Sequence, residues 1–274
     1  MVHPQIAAFA RLAGENTPPV RTLEGQKTLI SRTMHGFGYD AVHDEIVVTS
    51  PLTQAILIFR GGASGEEAPI RVIQGPHTQI LGTARGGNSI VTVDGVHGEI
   101  YLPIAPGSIL VFDRTANGDV APKRVLKGVG GGSVAVDPVH DLLVVNRSGS
   151  MLIYDRTASG NATPKAVIQG PKSDVGGTSS FQVYPPKGWI IGGCGQAFAS
   201  SLSVCAWSIN DNGDVPPSWK IPVQQLTGYQ PSGIALDPVH KEIILSASGQ
   251  KIQVARPPSG IMNTAITFSW PEIF

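Results

Sequence analysis

Apolar stretches along this chain are short and stay short. Runs such as Ile109-Leu-Val-Phe112 and Met151-Leu-Ile-Tyr154 give way to polar turns, and a second alternating run follows each. Their β-branched and aromatic residues suit a pleated, half-buried surface. No stretch repeats apolar residues at helical spacing, so the pattern predicts strands throughout. Between paired runs stand Asn117-Gly118-Asp119, Ser159-Gly160-Asn161 and Asn212-Gly213-Asp214. These residues adopt left-handed turn conformations at low cost, so each pair of runs reads as a hairpin.

The hairpins recur in phase. Phe9, Phe59, Phe112, Tyr154, Trp207 and Val254 hold one anchor position, and ten residues later come Pro19, Pro69, Pro122, Pro164, Pro217 and Thr264. A proline there fits an outer edge strand, where a missing N–H costs nothing. A second hairpin alternates with the first: Asp40-Ala-Val-His43, Asp94-Gly-Val-His97, Asp137-Pro-Val-His140 and Asp237-Pro-Val-His240, with Tyr184-Pro-Pro-Lys187 as a degenerate copy. The strand entering it is small and apolar (Ser133-Val-Ala-Val136), as an innermost strand must be.

Two hairpins make four antiparallel strands, and the anchors lie 42 to 53 residues apart. Four-stranded sheets at this period mean an all-β protein, a β-propeller. The small inner strand followed by Asp-Pro, best seen at Pro231-Ser-Gly-Ile-Ala-Leu-Asp-Pro238, resembles the NHL-repeat and wider six-bladed propeller group. The resemblance covers nearly the whole chain at the level of blade pattern. A single propeller domain over residues 1–274 is expected, with an outer hairpin at 5–25 and blades near 26–75, 76–128, 129–170, 171–227 and 228–274. The expected ring has six blades, the N-terminal one incomplete; the alternative is five blades carrying an extra hairpin.

Composition narrows the partners. The 274 residues carry 20 Lys+Arg and 20 Asp+Glu, a formal net charge of +0. That leaves no electrostatic footprint for nucleic acid or an anionic membrane, and neither is expected as a partner. No apolar run approaches a transmembrane span. The first residues show no signal-peptide pattern, although a secreted mature form would look the same. Cys194 and Cys205 flank one hairpin loop. They read either as a disulfide across adjacent strands or as two small buried hydrophobes. Two sequons, at Asn146 and Asn161, matter only in a eukaryotic secretory setting.

Propellers bind ligands at the axial end where the innermost strands begin. There the chain offers Arg32 and His35, Arg85 and Asn88, Gly130-Gly-Gly-Ser133, Ser180 and Ser232, with Arg147 in a loop between second and third strands. His77 also precedes an inner strand. Ligand contacts are expected from Asn88, Arg85, Ser180, Ser232, Arg32 and His77, and any catalysis from His35 and Arg147. Arg147 is suited to a carboxylate or phosphate. The four turn histidines sit at one repeat position and read as blade structure. Lactonase- and gluconolactonase-type hydrolases of the six-bladed group use a Ca²⁺-class axial ion, which favours carboxylate ligands. Asp174 is the only acid in a corresponding loop, so no cofactor is expected and such an ion has weak support. No Gly-x-Ser-x-Gly elbow occurs, and Gly128–Ser133 opens a strand rather than a helix, against a phosphate loop. The expected function is binding of a small polar or anionic ligand, a glycan or a protein at the axial funnel. The alternative implied by the resemblance is a hydrolase or lyase acting in the central channel.

Overall fold

The computed structural model describes residues 5–14, 16–31, 34, 36–81, 90–105, 107–129, 132–147, 149–175, 180–195, 203–248 and 264–274. The chain is an all-β protein of the β-propeller class, built from antiparallel sheets of sequential strands. Two compact units divide it, Met1–Gly131 and Gly132–Phe274.

The first unit opens with a hairpin, β1 (Gln5–Ala8) and β2 (Arg21–Glu24). Two four-stranded blades follow. One is β3 (Phe37–Asp40), β4 (Glu45–Ser50), β5 (Ala55–Arg60) and β6 (Arg71–Gln74); the other is β7 (Thr92–Asp94), β8 (Glu99–Ile104), β9 (Ser108–Asp113) and β10 (Arg124–Leu126). Ile56, Ile58 and Ile73 of the first blade interdigitate with Ile100, Leu102 and Phe112 of the second.

The second unit holds β11 (Val134–Asp137), β12 (Leu142–Arg147), β13 (Ser150–Asp155) and β14 (Ala166–Gln169), then β15 (Phe181–Tyr184), β16 (Trp189–Cys194), β17 (Ser203–Ser208) and β18 (Trp219–Ile221). A short helix, α1 (Val223–Thr227), leads to β19 (Gln230–Asp237), β20 (Glu242–Ser248) and β21 (Thr264–Ser269), a sheet of three strands among the described residues. Val144, Met151 and Ile153 pack on Phe181, Ile190 and Trp207, and Ile191 and Ala206 on Ile243 and Leu245.

Phe59, Phe112, Tyr154 and Trp207 are buried, whereas Phe9 on the opening hairpin is exposed. The last copy differs from the sequence reading. Val254 lies outside the described residues, and Thr264 opens a strand instead of closing a turn. Pairing of Ile243 with Phe268 matches that of Ile46 with Phe59 and Ile100 with Phe112. Phe268 therefore holds the anchor position, because Thr264-Ala-Ile-Thr-Phe-Ser269 is itself a β-prone run that pairs directly with β20.

Within each unit, neighbouring sheets are stitched by the long turns of outer hairpins. Gly118 donates its N–H to the Val72 carbonyl and accepts one from Gln74, while Asn117 Oδ1 accepts the Val72 N–H. Gly213 and Asn212 do the same to Val167 and Gln169, and Gly65 to Thr22 and Glu24. The turn acid then reaches the segment after the neighbour's outer strand. Asp119 Oδ1 accepts the His77 N–H at 2.7 Å, and Asp214 Oδ1 accepts those of Lys172 and Ser173 at 2.7 and 3.0 Å.

Candidate functional site

The turn histidines serve the blade. In each turn the aspartate Oδ1 accepts two backbone N–H groups, from Val42 and His43, Val96 and His97, Val139 and His140, or Val239 and His240. Its Oδ2 takes the Nδ1–H of the histidine at 2.6–2.8 Å. Glu242 lies close to Asp237 and His240, but this group is an exposed variant of the same turn. His77 is spent similarly. It stands exposed in the 3-10 turn Pro76–Thr78 after β6, with its Nδ1 on Asp119 at 2.6 Å. That contact belongs to the stitch between the two blades.

Of the remaining expected contacts, Arg32, His35, Arg85 and Asn88 lie outside the described residues. Ser232 is described as backbone in β19. Arg147 and Ser180 are described, both in the second unit. Ser180 precedes β15, and its carbonyl accepts the Gly193 N–H at the end of β16. Arg147 ends β12, exposed, and its guanidinium has no carboxylate partner among the described residues.

Strand alternation separates Arg147 from its neighbour. Asn146 is paired with Met151, which packs toward the next blade, so Asn146 faces that blade and is buried, while Arg147 leaves on the other side. Ser133 stands beside Asn146 and accepts its backbone N–H through its carbonyl. The residue is 5 % exposed, yet its hydroxyl has no hydrogen-bond partner among the described residues. Gly132 fits here because a Cβ would collide with the Asn146 carbonyl. Ser133, Asn146 and Arg147 thus form the described polar end of this blade. Ser133 was legible as a polar residue entering an inner strand, and Arg147 as one in the loop between second and third strands, though it instead ends β12. The orphaned hydroxyl, which depends on three-dimensional neighbours, was not.

Cys194 and Cys205 are joined as a disulfide, with Cα atoms 5.8 Å apart. They are diagonal rather than facing: Cys205 stands opposite Gly192, and Cys194 opposite Ser203. Both are fully buried. Above them Asp174 Oδ2 accepts from Lys220 Nζ at 2.6 Å, and the Asp174 carbonyl accepts the Gly195 N–H. Asp174 is thus an ion-paired acid beside a disulfide.

The first unit buries two charge clusters that the sequence reading missed. Glu45 accepts from Arg71 and Arg114, and Glu99 accepts from Arg124 through both oxygens, from Lys123 and from the Tyr101 hydroxyl. Burial raises the Glu99 pKa, but these donors outweigh it and hold the carboxyl well below the usual range.

No family model matches the chain, and no curated protein matches it. The propeller class rests on the strand architecture itself.

Proposed function

We propose that this propeller is a binding module for a small anionic ligand, a carboxylate or phosphate, held at the inner-strand end of the blade β11–β14. The observation that carries the proposal is the Ser133 hydroxyl. Buried polar groups in folded proteins almost always have a partner, and an orphan marks a place where a ligand or water completes the set. Arg147, the last residue of β12 and on the face opposite Ser133, offers a charge and a forked donor for a planar oxyanion at the same end of the blade. The neutral chain favours such local recognition over a polyanion.

Binding is favoured over turnover by where the turn histidine of this blade stands: His140 follows β11 at the end opposite Ser133. His43, His77, His97, His140 and His240 each have Nδ1 on an aspartate.

Calorimetric titration with carboxylates, sugar acids and phosphate esters, guided by a thermal-shift screen, tests this. Arg147→Ala should lose affinity at least ~10-fold with an unchanged melting temperature. Ser133→Ala should weaken binding ~5-fold yet leave the free protein as stable or slightly more so, because it removes an unpaired buried hydroxyl. Unchanged affinity in both variants would refute the proposal.

A further inference from the structure

One blade departs from its siblings at four positions at once, and the fold brings the four together. The left-handed residue after the outer-strand turn is Leu29 or Gln79 in the first unit but Asp174 here, with φ values of 60°, 59° and 56°. The last residue of the second strand is Ser50, Ile104 or Arg147 elsewhere and Cys194 here. Leu57, Leu110 and Leu152 pair with Val72, Val125 and Val167; in this blade Cys205 pairs with Lys220. Two positions that are apolar in the siblings and two that vary among them have become a carboxylate, two sulfurs and an ammonium. A purely structural disulfide needs neither the acid nor the lysine.

We propose that Asp174, Cys194 and Cys205 form a redox-gated site for a soft divalent metal ion of the Zn²⁺ type, closed by the disulfide and opened by its reduction. One ligand atom from each residue lies within 4.8 Å of the others. A tetrahedral ion with bonds of about 2.3 Å to sulfur and about 2.0–2.2 Å to carboxylate oxygen is reached by side-chain rotation once the sulfurs part. Two thiolates, one carboxylate and a divalent cation sum to one negative charge, and Lys220 cancels it, as a largely buried site requires. Lys220 holds Asp174 Oδ2, which leaves Oδ1 for the metal, the arrangement in which a ligating carboxylate is itself hydrogen-bonded. The Asp174 side chain is 25 % exposed, so water can take the fourth position.

The chemistry balances. A dithiol delivers two electrons and two protons to the Cys194–Cys205 bond and becomes a disulfide; two thiols result. The metal then displaces both thiol protons to solvent. The site needs nothing from the anion-binding residues and stands or falls separately from them.

The test uses the full chain, reduced with a phosphine, desalted without oxygen and titrated with Co²⁺ and then Zn²⁺. Reduced protein should bind one equivalent of Co²⁺ with a thiolate charge-transfer band that Zn²⁺ abolishes; oxidised protein should show no band. Asp174→Asn, which keeps both cysteines, should raise the Co²⁺ dissociation constant at least ~10-fold. Absence of the band in reduced protein overturns the proposal. So does equal affinity in Asp174→Asn, which is also what a reduced chain that had merely unfolded around two free thiols would give.

Discussion

Glu99 shows how one residue is held by partners distant in sequence. It is nearly inaccessible, and two cations and a phenol converge on it. Removing one member of such a cluster strands the rest, a loss of about 3–5 kcal/mol, so Glu99→Gln should lower the urea midpoint markedly. The chain contains its own control. In the blade β11–β14 the positions of Glu99 and Arg124 are Leu142 and Ala166. Glu99→Leu combined with Arg124→Ala should therefore recover much of what Glu99→Leu alone loses, because a well-packed apolar pair replaces a buried ionic one at little net cost. Denaturant titration of the three variants checks this. None of it was legible in the sequence: Glu99 and Arg124 are unremarkable until the register aligns their strands. The turn histidines were legible, because one residue type at one repeat position points to a local partner, and the aspartate three residues back is that partner.

At the scale of elements the hairpins were readable and their joints were not. Asn-Gly-Asp announces a turn, and Asn212, Gly213 and Asp214 do form one. Their second task, gripping the outer strand and following segment of the preceding blade, depends on what lies alongside. Asp214→Ala leaves the turn intact but removes the acceptor for two N–H groups. It should cost about 1 kcal/mol and speed hydrogen exchange at Lys172 and Ser173 selectively. The residue closing each inner hairpin is left-handed in all five copies: Asp44, Gly98, Asp141, Gly188 and Lys241. Lys241→Gly should therefore stabilise the protein slightly, by up to about 1 kcal/mol in thermal unfolding, because glycine adopts that conformation without steric strain. The last sheet was misphased for a related reason. Periodicity placed a hairpin before Thr264, and only direct pairing with β20 shows which run is the third strand.

For the whole molecule, the class was legible because four-stranded antiparallel units recurring every 42 to 53 residues mark a propeller. Acid should be its weak side. The His240 hydrogen bond and two backbone N–H groups hold the Asp237 carboxyl below its ordinary value; Arg60 does so for Glu67, and Thr115 for Asp113. Each native state thus favours the ionised carboxyl. The stability this confers is complete above the ordinary carboxylate range, near pH 4, and drains away as pH falls through the lowered native values. Urea midpoints should be flat from about pH 5 to 7 and fall below about pH 4.

The stitches between blades also run one way along the chain. In every described case the later hairpin grips the strand made before it: Gly65 on β2, Gly118 on β6, Gly213 on β14. Synthesis proceeds in that same direction. A blade leaving the ribosome carries an outer strand with one open edge, and the next stretch of polypeptide to emerge carries the loop that seals it. Within each unit the nascent protein can therefore close behind itself like a zip fastener, the described outer strands β2, β6 and β14 each sealed by the blade made next.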